Sequence, residues 1–121
     1  MDFKETQPIY MQIADWACEQ ILLEKWTLDE RAPSVRELGA RLEVNPNTVA
    51  RSYDFLENKE ILINKRGVGF FVAFNAADKI REFRKERFFE EELPVVFKTM
   101  KLLGIGMEEV MKRLPTPSPS A

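Results

Sequence analysis

The chain has 121 residues, 45% hydrophobic, 31% charged and 11% aromatic, which suits one folded domain with an appended element. Histidine is absent and Cys18 is the only cysteine, so histidine-based catalysis, zinc sites of Cys and His and an intramolecular disulfide are excluded. No apolar run reaches the about 18 residues of a membrane span, and the start Met1-Asp2-Phe3-Lys4-Glu5 is acidic rather than apolar, so a soluble, cytoplasmic protein is expected.

The formal net charge of -2 conceals a segregation: residues 1–30 sum to -5, residues 31–81 to +3 and residues 82–121 to zero. Local positive potential, which a phosphate-binding surface needs, therefore belongs to the middle of the chain.

From Gln7 to about Lys25, Ile9, Ile13, Trp16, Ala17 and Ile21 recur at helical spacing, with Pro8 suited to the first turn. Thr27 to Pro33 reads as a loop. Ser34-Val35-Arg36-Glu37 forms a capping box, and Val35, Leu38 and Leu42 give the second helix an apolar stripe. Asn45 and Pro46 open a third helix whose Val49, Tyr53 and Leu56 face inward, leaving Asn47, Thr48 and Arg51 on the other side. Two capped helices joined only by Glu43-Val44, the second with a polar outer face, outline a helix-turn-helix.

Two β-prone runs follow, Ile61 to Asn64 and Gly69 to Phe74, around the basic turn Lys65-Arg66-Gly67-Val68. They predict a hairpin with Phe70, Phe71 and Phe74 distributed over its faces. The expected fold class is mainly α with a small β-hairpin, a winged helix-turn-helix over residues 1–75. A two-helix C-terminal dimerisation element is expected over 76–114, with folding back onto the chain's own winged domain as the alternative. Its Phe89, Leu93, Val96, Met100 and Leu103 make a short heptad seam, which Pro94 should kink or split. Gly104-Ile105-Gly106 should end that helix before a short last one. Residues 115–121, rich in Pro and Ser, are expected to be a disordered tail.

Pro33-Ser34-Val35-Arg36-Glu37-Leu38, Val44-Asn45-Pro46-Asn47-Thr48-Val49 and Gly67-Val68-Gly69-Phe70-Phe71-Val72 together resemble the winged helix of GntR-type bacterial transcription regulators. Pro8 to Ile13 matches as well. The length, Leu93-Pro94, Lys101 to Gly104 and Glu108-Glu109 resemble the short YtrA-like branch, so the resemblance spans residues 7–114. Glu43 and Glu60 stand where the family usually has Gly, and a left-handed backbone at Glu43 costs about 1–2 kcal/mol. Ala50 and Pro46 replace frequent arginines of the wider family.

The resemblance implies a homodimer that binds an inverted-repeat operator in double-stranded DNA and represses its own operon, often one with ABC-transporter genes. It implies neither an enzyme nor a cofactor or metal, and it identifies no small-molecule effector. The DNA-binding candidates are Ser34, Arg36, Asn45, Asn47, Thr48, Arg51, Lys65, Arg66 and Gly67. Asn47 can pair with adenine and Arg51 with guanine or a phosphate, while the wing cations suit the minor groove or phosphates. From the residues alone, Asn45 and Thr48 read equally well as caps and Arg51 as a solvated charge. Arg36 has an intrahelical ion pair as its alternative. Tyr53 reads as core, with a hydroxyl able to reach a phosphate; Trp16 and Trp26 read as core or dimer contacts and Cys18 as buried. The rival function is a winged-helix protein-interaction module without DNA binding.

Overall fold

Helix α1 (Ile9–Leu22) opens the computed structural model, which describes residues 7–116. Its buried face is Gln12, Ile13, Ala14, Ala17, Cys18 and Ile21. The stripe is thus rotated from the expected one: Ile9 is exposed and Trp16 only half-buried. Ala14 and Cys18, both fully buried, take the place in the core that the expected stripe gave to Ile9 and Trp16.

The second helix, α2 (Val35–Leu42), begins at the expected capping box: Ser34 Oγ accepts from the Glu37 N–H at 3.1 Å, and the Ser34 N–H donates to the Glu37 carboxylate at 3.1 Å. It ends on Glu43 at φ 57° and ψ 46°, the left-handed conformation anticipated there. Asn45 then caps α3 (Pro46–Asn58), its Oδ1 accepting from the Asn47 N–H at 2.8 Å. Val49, Tyr53 and Leu56 are buried, as their spacing predicts.

The wing pairs β1 (Leu62–Lys65) with β2 (Gly69–Val72) in antiparallel register, Leu62 opposite Val72 and Lys65 opposite Gly69. Lys65 is the last strand residue, and the turn is closed by the Val68 N–H donating to the Lys65 carbonyl at 2.9 Å. A third segment joins where a plain loop was expected: Arg31 bridges to Phe71, and the Ala32 N–H donates to the Phe70 carbonyl at 2.8 Å. Phe74 does not belong to the hairpin. The Ala73 N–H already bonds back to Ile61 and the chain turns into α4 (Ala76–Arg87), leaving Phe74 outside the sheet and 89% exposed.

One core joins these elements: Ile13 and Ala17 of α1, Leu38 of α2, Tyr53 and Leu56 of α3, Ile61, Leu62 and Val72 of the wing, and Ala76 and Ile80 of α4. An edge-to-face aromatic chain packs against it through Tyr53, with ring centroids 5.8 Å apart for Trp16–Trp26, 6.3 Å for Trp26–Tyr53 and 5.0 Å for Tyr53–Phe70. Because Ala76 and Ile80 are part of this core, the first compact unit runs to Phe83 and the second starts at Arg84.

In the second unit, α4 passes into a π-helical turn (Phe88–Glu92) before α5 (Leu93–Leu103), and α6 (Met107–Lys112) follows after Gly106. Pro94 has no N–H and its ring crowds the carbonyl four residues back, so an unbroken α-helix is disfavoured there. The widened turn accommodates it, the Leu93 N–H reaching the Phe88 carbonyl. The helix is thus not split at Pro94: helical residues continue from Ala76 to Leu103, with the widened turn just before the proline. Of the seam residues, Leu93 and Met100 are half-buried, whereas Phe89, Val96 and Leu103 are exposed. Of the expected tail, Pro115 and Thr116 are exposed and outside regular structure, and residues 117–121 lie outside the described residues.

Candidate nucleic-acid interface

The start of α3 gathers four of the candidate residues. Asn45, Asn47, Thr48 and Arg51 line one open cleft of about 340 Å³ together with Tyr10 of α1. Asn47 and Arg51 are exposed, whereas Thr48 is half-buried. Asn45 spends its side-chain oxygen on the cap, so its first role is to present Asn47 in helical geometry. The register between α3 and α1 is held by Ser52, fully buried, whose Oγ donates to the Tyr10 carbonyl at 2.6 Å and lies 3.1 Å from the Thr48 carbonyl. That bond brings the Tyr10 ring beneath Arg51, whose guanidinium carbon is 3.9 Å from the ring centroid.

The candidates on α2 divide into a cap and a free cation. Ser34 is occupied by its reciprocal bonds with Glu37. Those bonds, first the backbone N–H and then the hydroxyl, hold the Glu37 carboxyl below its usual range, and Arg31 and Arg41 add to the effect. Arg36 is exposed, and among the described residues it forms no ion pair. On the wing, Arg66 and Gly67 stand exposed in the turn, with Gly67 at φ 77°. Lys65 lies against the hairpin, its Nζ 4.2 Å from the Phe71 ring centroid.

Arg36, Arg51, Lys65 and Arg66 all lack a carboxylate partner among the described residues. Their charge is therefore available to an external anion. The α3 residues share a cleft, while the α2 and wing residues occupy separate elements of the same unit. Among the described residues no group of His, Cys, Asp and Glu is placed to hold a metal, and no helix is long and apolar enough to cross a membrane.

Two residues that matter here are not singled out by sequence reasoning. Tyr10 is visible there only as an aromatic beside the apolar stripe, and its pairing with Arg51 depends on the crossing of α1 and α3. Arg31 ties the wing to α2: it bridges to Phe71 and its guanidinium is 3.7 Å from the Glu37 carboxylate. Nothing in a polar loop sequence announces either contact. Tyr53 takes the core place expected of it, and only its hydroxyl differs from the reach to a phosphate that was open to it. Its hydroxyl is not offered outward but donates to the Pro33 carbonyl at 2.6 Å, and burial pushes the phenol far above its usual pKa, so it remains a neutral donor.

The geometry agrees with what comparison to known proteins finds. Residues 9–72 match the bacterial regulatory proteins of the gntR family. The chain is 35% identical over 114 residues to the Bacillus subtilis (strain 168) HTH-type transcriptional regulator YhcF, covering 94% of this chain and 93% of YhcF. It is 31% identical over 110 residues to the HTH-type transcriptional repressor YtrA of the same organism, covering 91% of this chain and 84% of YtrA. A solved GntR-family transcriptional regulator from Bacteroides thetaiotaomicron is similar with a TM-score of 0.71 and 46% identity, over 87% of this chain and 91% of that one. These relatives are transcription regulators, not enzymes. On the matched winged helix and the near full-length identity, the chain belongs to the GntR family of DNA-binding bacterial transcription regulators.

Proposed function

We propose that the chain is a homodimeric, sequence-specific repressor of the cytoplasm, which occupies an inverted-repeat operator and keeps polymerase from the genes of its own operon. The observation that carries the DNA-reading part is the first two turns of α3, where Asn47 and Arg51 are exposed beside a cleft and Arg51 has no carboxylate partner among the described residues. Amide and guanidinium groups near the N-terminus of a recognition helix suit major-groove base edges. Arg36, Lys65 and Arg66 suit phosphates on either side, with the wing in or near the minor groove. Repression is supported by the name of YtrA, a transcriptional repressor. The dimer is supported by the apolar side chains that α5 leaves exposed, which a second copy would cover.

Equilibrium binding to duplex DNA across a salt series tests this reading. The association constant should fall steeply with salt, and Arg66→Ala should weaken binding evenly and reduce the salt slope by about one. Arg51→Ala should cost about 1–3 kcal/mol and relax one base position. Salt-independent association, or wild-type binding by both variants, would leave the protein-interaction module as the better reading.

A further inference from the structure

We infer that Tyr10 is a positioning residue for DNA recognition, acting through Arg51; this inference rests on the DNA-reading proposal above. The Arg51 guanidinium lies over the Tyr10 ring, with its carbon 3.9 Å from the centroid. A ring face offers a guanidinium no lone-pair acceptor, so the N–H donors directed away from the ring stay unspent. An ion pair would do the opposite and occupy those donors. The ring therefore holds the arginine without competing with DNA for it.

The platform is itself fixed. Fully buried Ser52, one residue after Arg51, donates to the Tyr10 carbonyl at 2.6 Å, so α1 and α3 cannot slide past one another without breaking that bond. Long side chains lose rotamer freedom when they bind, and a guanidinium already restrained loses less. Tyr10, Asn47, Thr48 and Arg51 also border the same cleft, which makes the start of α1 part of the reading surface and not only a support for α3. The ring supplies this effect; the phenol oxygen is not required for it.

A double-mutant cycle on a duplex enriched by the wild-type protein tests the inference. Tyr10→Leu removes the ring and keeps apolar bulk. It should weaken specific binding about three- to tenfold and relax the same position as Arg51→Ala. In the Arg51→Ala background it should change affinity by less than about twofold, and Tyr10→Phe should bind like wild type. Without DNA, the Arg51 side-chain protons should be shifted upfield by the ring in the wild type and Tyr10→Phe, and should lose that shift in Tyr10→Leu. Equal losses from Tyr10→Leu in both backgrounds would overturn the inference, as would a Tyr10→Phe loss as large as that of Tyr10→Leu. If Arg51→Ala binds like wild type, the assignment of Arg51 to DNA falls with it. If only the cycle is additive, the DNA reading stands and Tyr10 alone loses its role.

Discussion

Tyr53 carries a phenol into the interior of the winged unit, and its hydroxyl meets the Pro33 carbonyl at the entry to α2. Removing one partner of a buried hydrogen bond leaves the other without compensation, at about 1–3 kcal/mol. Tyr53→Phe should therefore lower stability by about that amount in a denaturant titration and leave DNA affinity unchanged while the protein is folded. An unchanged midpoint with weakened DNA binding would return the hydroxyl to the DNA surface. Glu37 behaves differently, because it is exposed and its carboxylate form is the one that Ser34 binds. A carboxyl whose folded pKa is depressed contributes stability above its unfolded pKa and loses it as the pH falls through the folded value. Acid titration of unfolding should show the wild type losing stability below the ordinary carboxylate range, with a shallower loss in Glu37→Gln. Identical slopes would mean the charge contributes nothing. The caps and the inward positions of α3 were legible because they depend on neighbours two to four residues away. Tyr10 beneath Arg51 was not, since it needs the packing of α1 against α3, where Ser52 meets Tyr10 42 residues before it in the chain.

The wing shows how an element gains a part that local pattern does not reveal. Its two strands follow from β-prone runs around Gly67, but the Arg31 bridge comes from a polar loop that the helix-to-helix connection happens to lay along β2. Gly69 makes the contact possible: it sits at φ 139°, and a Cβ there would stand 2.7 Å from Arg31 Cδ. Gly69→Ala should cost about 1–3 kcal/mol for the backbone strain alone. It should also speed hydrogen exchange of the Ala32 amide, whose partner is the Phe70 carbonyl. A fully protected Ala32 amide in that variant would show that the wing does not depend on the close approach. The interruption expected at Pro94 is realised only as a widened turn just before it, because a π-helical turn satisfies the Leu93 N–H and lets the helix run on. The extent of their apolar surface was underestimated: Phe88, Val95 and Leu102 are exposed at intervals of seven beside Phe89, Val96 and Leu103.

For the whole molecule, the exposed apolar surface of the π-helical turn and α5 and the central positive charge support the proposed assembly, two copies presenting two recognition helices. Phe89 at 61% and Leu103 at 67% exposure are costly to leave in water, and a second copy offers the same surface in return. Light scattering on the wild type should give twice the chain mass, and Val96→Glu, which places a charge in that surface, should give the single-chain mass. A wild-type monomer, or a Val96→Glu dimer, would remove α5 from the interface. Sequence-specific recognition is tested by enrichment from a random duplex DNA pool by the wild-type protein, with sequencing of the bound fraction. Two inverted half-sites at fixed spacing are the expected result. The absence of any enriched sequence at low salt would contradict sequence-specific recognition by this chain.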